Sequence, residues 1–314
     1  MRELKIIWLL LLNFSLVSAK EGDELLRKKL LAMTNNSQWE KVASIPLQFS
    51  GYHTQGMVKV GEYFYMSSVE IIRKTKRYEQ PQGKLDRDEG EGQGHLFKFD
   101  REGNLLHDLL IGEGAVYHPG GIDYDGKYIW VPVAEYRPYS FSIIYRVDPE
   151  TMKAEEVLRY NDHIGAIVHH TDNHTLVGAT WDARELYHWT FDGQGKITNG
   201  NIPPESLAKQ RRSYYVAFQD CKYIGGNLMF CSGVRSFKHG TGSFRLGGWE
   251  ILDLRDNRPV QQIPVTLLSP FGAIITGNPC TVELTENGVR AYFVPDDNEK
   301  STLLIYAMTE QEQG

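Results

Sequence analysis

The sequence has no excess of positive charge and, beyond its N-terminus, no long apolar run. Its 314 residues carry 34 Lys and Arg against 40 Asp and Glu, a net charge of −6. Nucleic-acid-binding proteins usually carry a basic stripe, so this balance predicts no nucleic-acid partner. No later segment is apolar for long enough to cross a bilayer, so we expect no membrane contact from the mature chain.

Several common catalytic motifs are also missing. The chain has no P-loop, no G-x-G-x-x-G ahead of a helix, no G-x-S-x-G elbow and no C-x-x-C pair. These absences exclude the local signatures of nucleotide binding, α/β-hydrolase chemistry and thiol redox chemistry. A functional site must therefore be assembled from residues that are distant in sequence.

The N-terminal residues predict a targeting segment rather than part of the fold. Arg2 and Lys5 precede an apolar run over residues 6–17, and small residues follow as far as Ala19. This pattern predicts a signal peptide over residues 1–19 and therefore a secreted or periplasmic protein. Residues 20–36 are charged and helix-prone, and we expect a short helix or a loose arm there.

Cysteine is scarce, with three residues in the chain. Cys221 and Cys231 flank a Gly-Gly-Asn turn symmetrically, so a hairpin would place them opposite each other. Export would permit a disulfide between them. The alternative is that all three are small buried apolar residues, and Cys280 is unpaired in either case.

A strand–turn–strand pattern recurs five times. The copies begin at residues 56, 121, 165, 221 and 280, at intervals of 65, 44, 56 and 59 residues. A third strand that ends in a polar turn follows each copy. A near-regular period of this size, with about four strands per copy, is typical of a β-propeller.

The repeats therefore predict an all-β fold, a five-bladed propeller over residues 37–314. The last repeat has little chain left for an outer strand, and the strand-like residues 39–49 would supply it and close the ring. A six-bladed ring with one degenerate blade and an ordinary β-sandwich are the alternatives. Residues 73–94 are polar and Gly-rich, and predict an inserted loop that overhangs one face or is a flexible decoration.

Three histidines precede the inner strands of successive repeats. His53, His118 and His163 stand two or three residues ahead of their repeats, at the point where inner strands converge on the channel mouth. Three imidazoles around one point can bind a divalent metal such as zinc or manganese, which would activate water. The same residues can act without metal as general acid and base, or can simply tie neighbouring blades together.

Charged and aromatic residues follow the second strands and reach the same face. We expect Glu70 and Glu135 to assist catalysis. The expected ligand-binding residues are Gln55, Arg137, Trp181, Asp182, Arg184, Arg235 and Asn278. Such a mouth suits a small polar, peptide or sugar-like ligand. We interpret Asp296–Asp297 as turn residues favoured for backbone reasons.

The segment over residues 53–68 resembles the first blade of the glutaminyl-peptide cyclotransferases. That blade carries F-T-Q-G-L followed by L-Y-E-S-T-G, and Thr54, Gln55 and Gly56 match it directly. The resemblance implies a five-bladed propeller with cyclotransferase activity on peptides that begin with glutamine. Met66 stands where that family carries an acidic residue.

Residues 118–126, HPGGIDYDG, are similar to blades of strictosidine synthase-like and gluconolactonase-like propellers. This second resemblance implies acid–base or metal chemistry at the channel mouth, often with calcium. An uncharacterised propeller family fits the sequence equally well. Two functional classes follow: a hydrolase, lyase or transferase, and a non-catalytic module that binds a glycan or a protein. We expect a monomer in both.

Overall fold

Short strands joined by tight turns account for most of the chain. The computed structural model describes residues 21–309. A first helix, α1, covers residues 21–32, and α2 covers Pro204–Leu207. Short 3-10 turns cover Ile275–Gly277 and Asn298–Lys300. The strands are β1 (Gln38–Pro46), β2 (His53–Val60), β3 (Tyr63–Arg73), β4 (Arg77–Gln82), β5 (Leu85–Arg87), β6 (Glu91–Phe99), β7 (Leu105–Ile111), β8 (Val116–Pro119), β9 (Asp123–Tyr124), β10 (Ile129–Glu135), β11 (Ser142–Val147), β12 (Ala154–Tyr160), β13 (Ile164–His170), β14 (Thr175–Thr180), β15 (Glu185–Thr190), β16 (Lys209–Gln210), β17 (Ala217–Tyr223), β18 (Leu228–His239), β19 (Gly242–Asp253), β20 (Arg258–Val265), β21 (Cys280–Thr285), β22 (Gly288–Phe293) and β23 (Thr302–Thr309).

These strands form five antiparallel blades, which confirms the predicted five-bladed propeller. From the channel outward, the blades are β2-β3-β6-β7, β8-β10-β11-β12 with β9 beside β10, β13-β14-β15-β16, β17-β18-β19-β20, and β21-β22-β23-β1. The six-bladed and sandwich alternatives are therefore wrong. We call the face at which inner strands begin the top face and the opposite one the bottom face.

The ring is closed by its first strand. β1 pairs antiparallel with β23, from Gln38 opposite Thr309 to Pro46 opposite Thr302. This pairing confirms that residues 39–49 contribute the outer strand of the last blade, ending at Pro46. Closure covers the edge of blade 5 that an open array would expose.

The hydrophobic core consists of five clusters, one at each seam between neighbouring blades. The seam of blades 4 and 5 includes Trp249 and Phe293, whose rings stack with centroids 6.2 Å apart. Leu30 and Met33, in and just after α1, are buried in the same cluster. Burial of each such side chain contributes about 1.5–3 kcal/mol, so α1 is a docked element rather than a loose arm.

A buried ion pair lies where the inner strands of the blades meet. The Lys222 ammonium lies 2.5 Å from an oxygen of Asp220, and both side chains are almost fully buried. Asp220 also accepts hydrogen bonds from the backbone N–H groups of Met57, Ile122 and Cys280. One carboxylate of blade 4 thereby holds the inner strands of blades 1, 2 and 5 together.

Two sequence expectations about local structure have clear outcomes. Residues 73–94 are not a plain loop, since they contain the β4–β5 hairpin and the start of β6, which extends the blade with β3. The segment is almost entirely polar, so it lacks the alternation of apolar and polar residues by which strands are recognised in a sequence. Cys221 and Cys231 lie opposite each other and form a disulfide, while Cys280 is free and buried. The predicted signal peptide, residues 1–19, lies outside the described residues and stays a prediction.

Candidate functional site

The repeat register brings the three histidines into one row on the top face. His53 opens β2, His118 lies in β8, and His163 directly precedes β13. The ring centroids of His53 and His118 are 6.2 Å apart, and those of His118 and His163 are 6.0 Å apart. Inner strands can approach this closely because they carry glycine: a Cβ on Gly120 would lie 2.2 Å from the Gly165 carbonyl oxygen.

His163 is a buried, neutral member of the row. Its Nδ1 lies 2.8 Å from the carbonyl oxygen of Glu135, and a carbonyl can only accept, so Nδ1–H is the donor. Burial lowers the pKa of His163 to about 4. The ring also meets Trp181 edge-on, with centroids 4.6 Å apart. At neutral pH the remaining nitrogen, Nε2, is therefore an acceptor.

His118, at the middle of the row, has no polar partner within residues 21–309. It is 6% exposed, and both of its ring nitrogens are buried without a hydrogen bond. Its ring stacks on Tyr136 with centroids 4.0 Å apart. Burial, followed by the neighbouring His163 and His53, lowers the pKa of His118 well below its usual range. Buried polar groups in native proteins normally have partners, so this imidazole requires an explanation.

His53 is the accessible member of the row and forms a dyad with Asp297. Its Nδ1 lies 3.0 Å from a carboxylate oxygen of Asp297, which follows blade 5's second strand. Asn278 donates to the Thr54 hydroxyl at 2.8 Å and to the other Asp297 oxygen at 3.3 Å. The carboxylate is thus held in place and fixes the orientation of the imidazole.

An open cleft of about 640 Å³ leads to this dyad. Glu70, Lys74, Arg87 and Glu299 bring both signs of charge to its wall. Tyr136 also lines the cleft and separates it from the buried His118. A ligand group in the cleft can reach His53, which lines it, whereas His118 does not line the cleft and stacks on the Tyr136 ring.

The inserted hairpin overhangs the top face, as the sequence predicted. Arg87, at the end of β5, places its guanidinium 5.2 Å from the ring centroid of Trp181. Asp86 pairs with this guanidinium at 2.7 Å. The hairpin therefore contributes a fixed cation beside the aromatic wall of the site.

The other predicted residues are distributed over the face. Glu135 forms an ion pair with Arg137 at 2.6 Å, so its carboxylate is already engaged. Arg184 pairs with Asp182 at the exposed rim. Both Arg184 and Arg235 lie over the ring of Tyr214. Gln55, on the inner strand of blade 1, is 9% exposed.

Sequence reasoning missed three residues of the site, Asp297, Tyr136 and Arg87. The sequence favours a turn role for Asp297, and nothing local shows that its carboxylate contacts His53 across a seam. Tyr136 directly follows the candidate residue Glu135. The aromatic side chain beside that candidate is a signal from which its place in the site could have been predicted. Arg87 lies in an insertion whose fold the sequence did not reveal.

No metal-binding group is apparent over the described part of the chain: no three His, Cys, Asp or Glu side chains converge as ligands. No helix there is long and apolar enough to span a membrane.

The fold and the histidine row define a five-bladed β-propeller with a polar site at one channel mouth. Residues 16–311 match a family of unknown function, DUF6454, and the chain belongs to that family. No curated protein matches the sequence.

Solved structures align with this chain at low sequence identity. A hypothetical protein from Leishmania major aligns with a TM-score of 0.50 at 11% identity, over 88% of this chain and 92% of that one. The tail fiber of Staphylococcus aureus phage P68 aligns with a TM-score of 0.49 at 10% identity, over 95% of this chain and 57% of the fiber. A luciferin-regenerating enzyme aligns with a TM-score of 0.45 at 8% identity, over 88% and 96%. The match to the Leishmania major protein, at 11% identity, bears on the fold alone.

These matches do not support the resemblance to cyclotransferases. Met66 is fully buried, in the apolar cluster between blades 1 and 5. The acidic residue of that family thus has no counterpart at this position.

Proposed function

We propose that the top-face mouth binds a small polar ligand, such as a sugar, a peptide end or an organic acid, and that His53 serves as its general base or acid. The observation that carries this proposal is His118, whose two buried nitrogens have no hydrogen-bond partner among residues 21–309. An unsatisfied buried polar group costs about 1–3 kcal/mol, and a ligand group between the rings would satisfy it.

The neighbouring residues have roles that follow from their contacts. Asp297 accepts from Nδ1 of His53, so Nε2 is the nitrogen left to exchange a proton with a ligand. His163 and His118 remain neutral and can accept or donate hydrogen bonds without a charge of their own. Trp181 provides a flat apolar surface, and Arg87, which is paired with Asp86, lies beside it with its remaining N–H groups as donors for a polar ligand group.

Ligand-dependent stabilisation tests this proposal. A set of sugars, organic acids, amino acids and short peptides is screened for compounds that raise the melting temperature of the wild type. A ligand at a hundred times its Kd stabilises by about 2.7 kcal/mol, which is readily measured. The stabilisation should disappear in His118→Phe. If no compound stabilises the wild type, or if His118→Phe responds equally, the site is elsewhere.

Turnover separates an enzyme from a binding module. A stabilising compound that is converted by the wild type and left intact by His53→Gln would identify a hydrolase, lyase or transferase. A stabilising compound that is never converted would identify a non-catalytic binding propeller.

A transition metal is the second candidate for the site. His53 and His163 both engage Nδ1 with an oxygen acceptor, the outer contact that metal-binding histidines usually make, and both leave Nε2 free. Zinc suits imidazole ligands, whereas manganese and calcium prefer oxygen ligands. Metal analysis of the purified protein, before and after zinc addition, decides this candidate through stoichiometric binding that His118→Phe abolishes.

We also propose that the chain is exported, since the Cys221–Cys231 disulfide requires an oxidising compartment. The intact mass of the secreted protein should correspond to a chain that begins near residue 20.

A further inference from the structure

A two-stranded arm projects from blade 4 on the top face. β17 pairs with β18 only as far as Val234, and β20 pairs with β19 only from Gly247. Residues 235–246 therefore pair only with each other, through the register of β18 and β19. At about 3.3 Å per residue, this blade-4 arm extends about 16 Å beyond its sheet.

The two faces of the blade-4 arm differ in chemistry. Phe237 lies opposite Phe244 on one face, and their rings stack with centroids 5.3 Å apart. Phe244 is 48% exposed and Leu246 39% exposed, so this face presents apolar surface to solvent. The alternate positions place Lys238 and Arg245 on the other face. A short ribbon of this kind would be marginal without the aromatic stack.

The charge of the arm is opposite to that of the whole chain. Residues 235–246 contain Arg235, Lys238 and Arg245 and no Asp or Glu, whereas the net charge of the chain is −6. Lys238 and Arg245 have no carboxylate partner among residues 21–309. Cations without acidic neighbours attract an anionic surface, and the ~8 Å screening length makes local charge decisive over net charge.

The next loop on the same face adds further apolar surface. Thr276 donates to the Gly233 carbonyl at 2.8 Å, which anchors residues 266–279 at the base of the arm. Leu268 and Phe271 of this loop are 54% and 59% exposed. The Lys300 ammonium lies 4.9 Å from the Phe271 ring centroid, so this loop too presents a cation together with exposed apolar side chains.

We propose that the blade-4 arm and the 266–279 loop dock the protein on an anionic lipid bilayer. Phe244, Leu246 and Phe271 would enter the interfacial layer, while Lys238 and Arg245 bind lipid phosphates. The apolar side chains stand on a projecting arm and an exposed loop rather than in a groove, so a deformable phase buries them more readily than a rigid protein does. Docking here would turn the top-face mouth toward the bilayer, which differs from the expectation of no membrane contact drawn from the sequence alone.

Vesicle co-sedimentation of the full chain tests the proposal. Vesicles of phosphatidylcholine with phosphatidylserine are compared with phosphatidylcholine alone, at low and high ionic strength. Each cation near the surface contributes roughly a factor of five in affinity, so Lys238→Gln with Arg245→Gln should weaken binding to the anionic vesicles about thirty-fold. Phe244→Ser with Phe271→Ser should weaken it as well.

Matched variants elsewhere on the chain serve as controls. Lys153→Gln with Lys196→Gln makes the same change in net charge at exposed positions, and Leu106→Ser with Leu110→Ser removes equally exposed leucines from β7. Both should bind like the wild type. Equal losses in the controls, or no dependence on phosphatidylserine, would overturn the proposal. Salt-dependent retention on polyglutamate without vesicle binding would assign the surface to an acidic protein instead and would also overturn it.

Discussion

The imidazole of His53 and the carboxylate of Asp297 meet across the seam between blades 1 and 5, with Nδ1 and Oδ2 3.0 Å apart. The two residues are 244 positions apart in sequence, and only ring closure brings them together. An acceptor at Nδ1 fixes the tautomer, so that Nε2 presents its lone pair to the cleft.

Asp297→Asn should release this tautomer with little effect on stability. The pair is partly exposed, with side chains 30% and 41% accessible, so its loss should cost less than about 1 kcal/mol. Imidazole ¹⁵N shifts should show a mixed His53 tautomer, and ligand-dependent stabilisation should fall. Glu299→Gln, which removes another carboxylate from the same cleft, is the control and should leave the His53 shifts unchanged. An unaltered tautomer in Asp297→Asn would show that the contact does not orient the ring.

His118→Phe should leave the protein at least as stable at neutral pH. The phenyl ring keeps the stack on Tyr136 and removes two buried nitrogens that have no partner in the described structure. Removing such groups can stabilise a protein by about 1–3 kcal/mol. His163→Phe is the matched control, because it loses the bond to the Glu135 carbonyl and should be destabilised. A large loss of stability in His118→Phe would mean that an ordered water already satisfies the ring.

The same substitution should flatten the acid limb of the stability curve. The folded-state pKa of His118 lies below the ordinary value of 6.5, so below that pH the unfolded chain binds the proton that the folded chain does not. The unfolding free energy of the wild type therefore falls as the pH drops from 6.5. His118→Phe lacks this contribution, and urea unfolding at several pH values should show a smaller fall.

Asp220→Ala should be among the most damaging single changes in the ring. It leaves the Lys222 ammonium buried without a counter-charge and removes the acceptor of three backbone N–H groups. Breaking a buried pair in this way costs about 3–5 kcal/mol. Glu155→Ala, which breaks the exposed pair with Arg146, should cost under about 1 kcal/mol in the same urea titration. Similar losses of unfolding free energy in the two variants would show that the Asp220–Lys222 pair is solvated.

The fold was largely predictable because its signals are local. Strand–turn–strand repeats are set by residues such as Gly61, whose φ of 57° suits the two-residue turn between β2 and β3. The same register placed three histidines at one mouth. The dyad was not predictable, since it depends on a loop of blade 5 meeting a strand of blade 1. The Tyr136 cover and the reach of Arg87 likewise depend on packing between elements rather than on spacing.

Asp123→Asn should remove a loss of stability that the wild type shows as the pH rises from about 4 to about 8. Burial raises the pKa of Asp123 to about 8 in the folded protein, against an ordinary value of 3.8. Between these values the folded chain holds a proton that the unfolded chain has released, so the wild-type unfolding free energy falls as the pH rises from about 4 to about 8. An asparagine cannot ionise and still accepts the His169 backbone N–H. Chemical unfolding across this range should therefore give a flatter curve for Asp123→Asn, with the largest gain over the wild type near pH 8.

Asp192→Asn, at an exposed turn where the pKa of the carboxyl is lowered instead, is the control and should not show this gain in stability. Parallel curves for the wild type and Asp123→Asn would mean that Asp123 is already ionised in the folded protein, held so by the nearby Lys222.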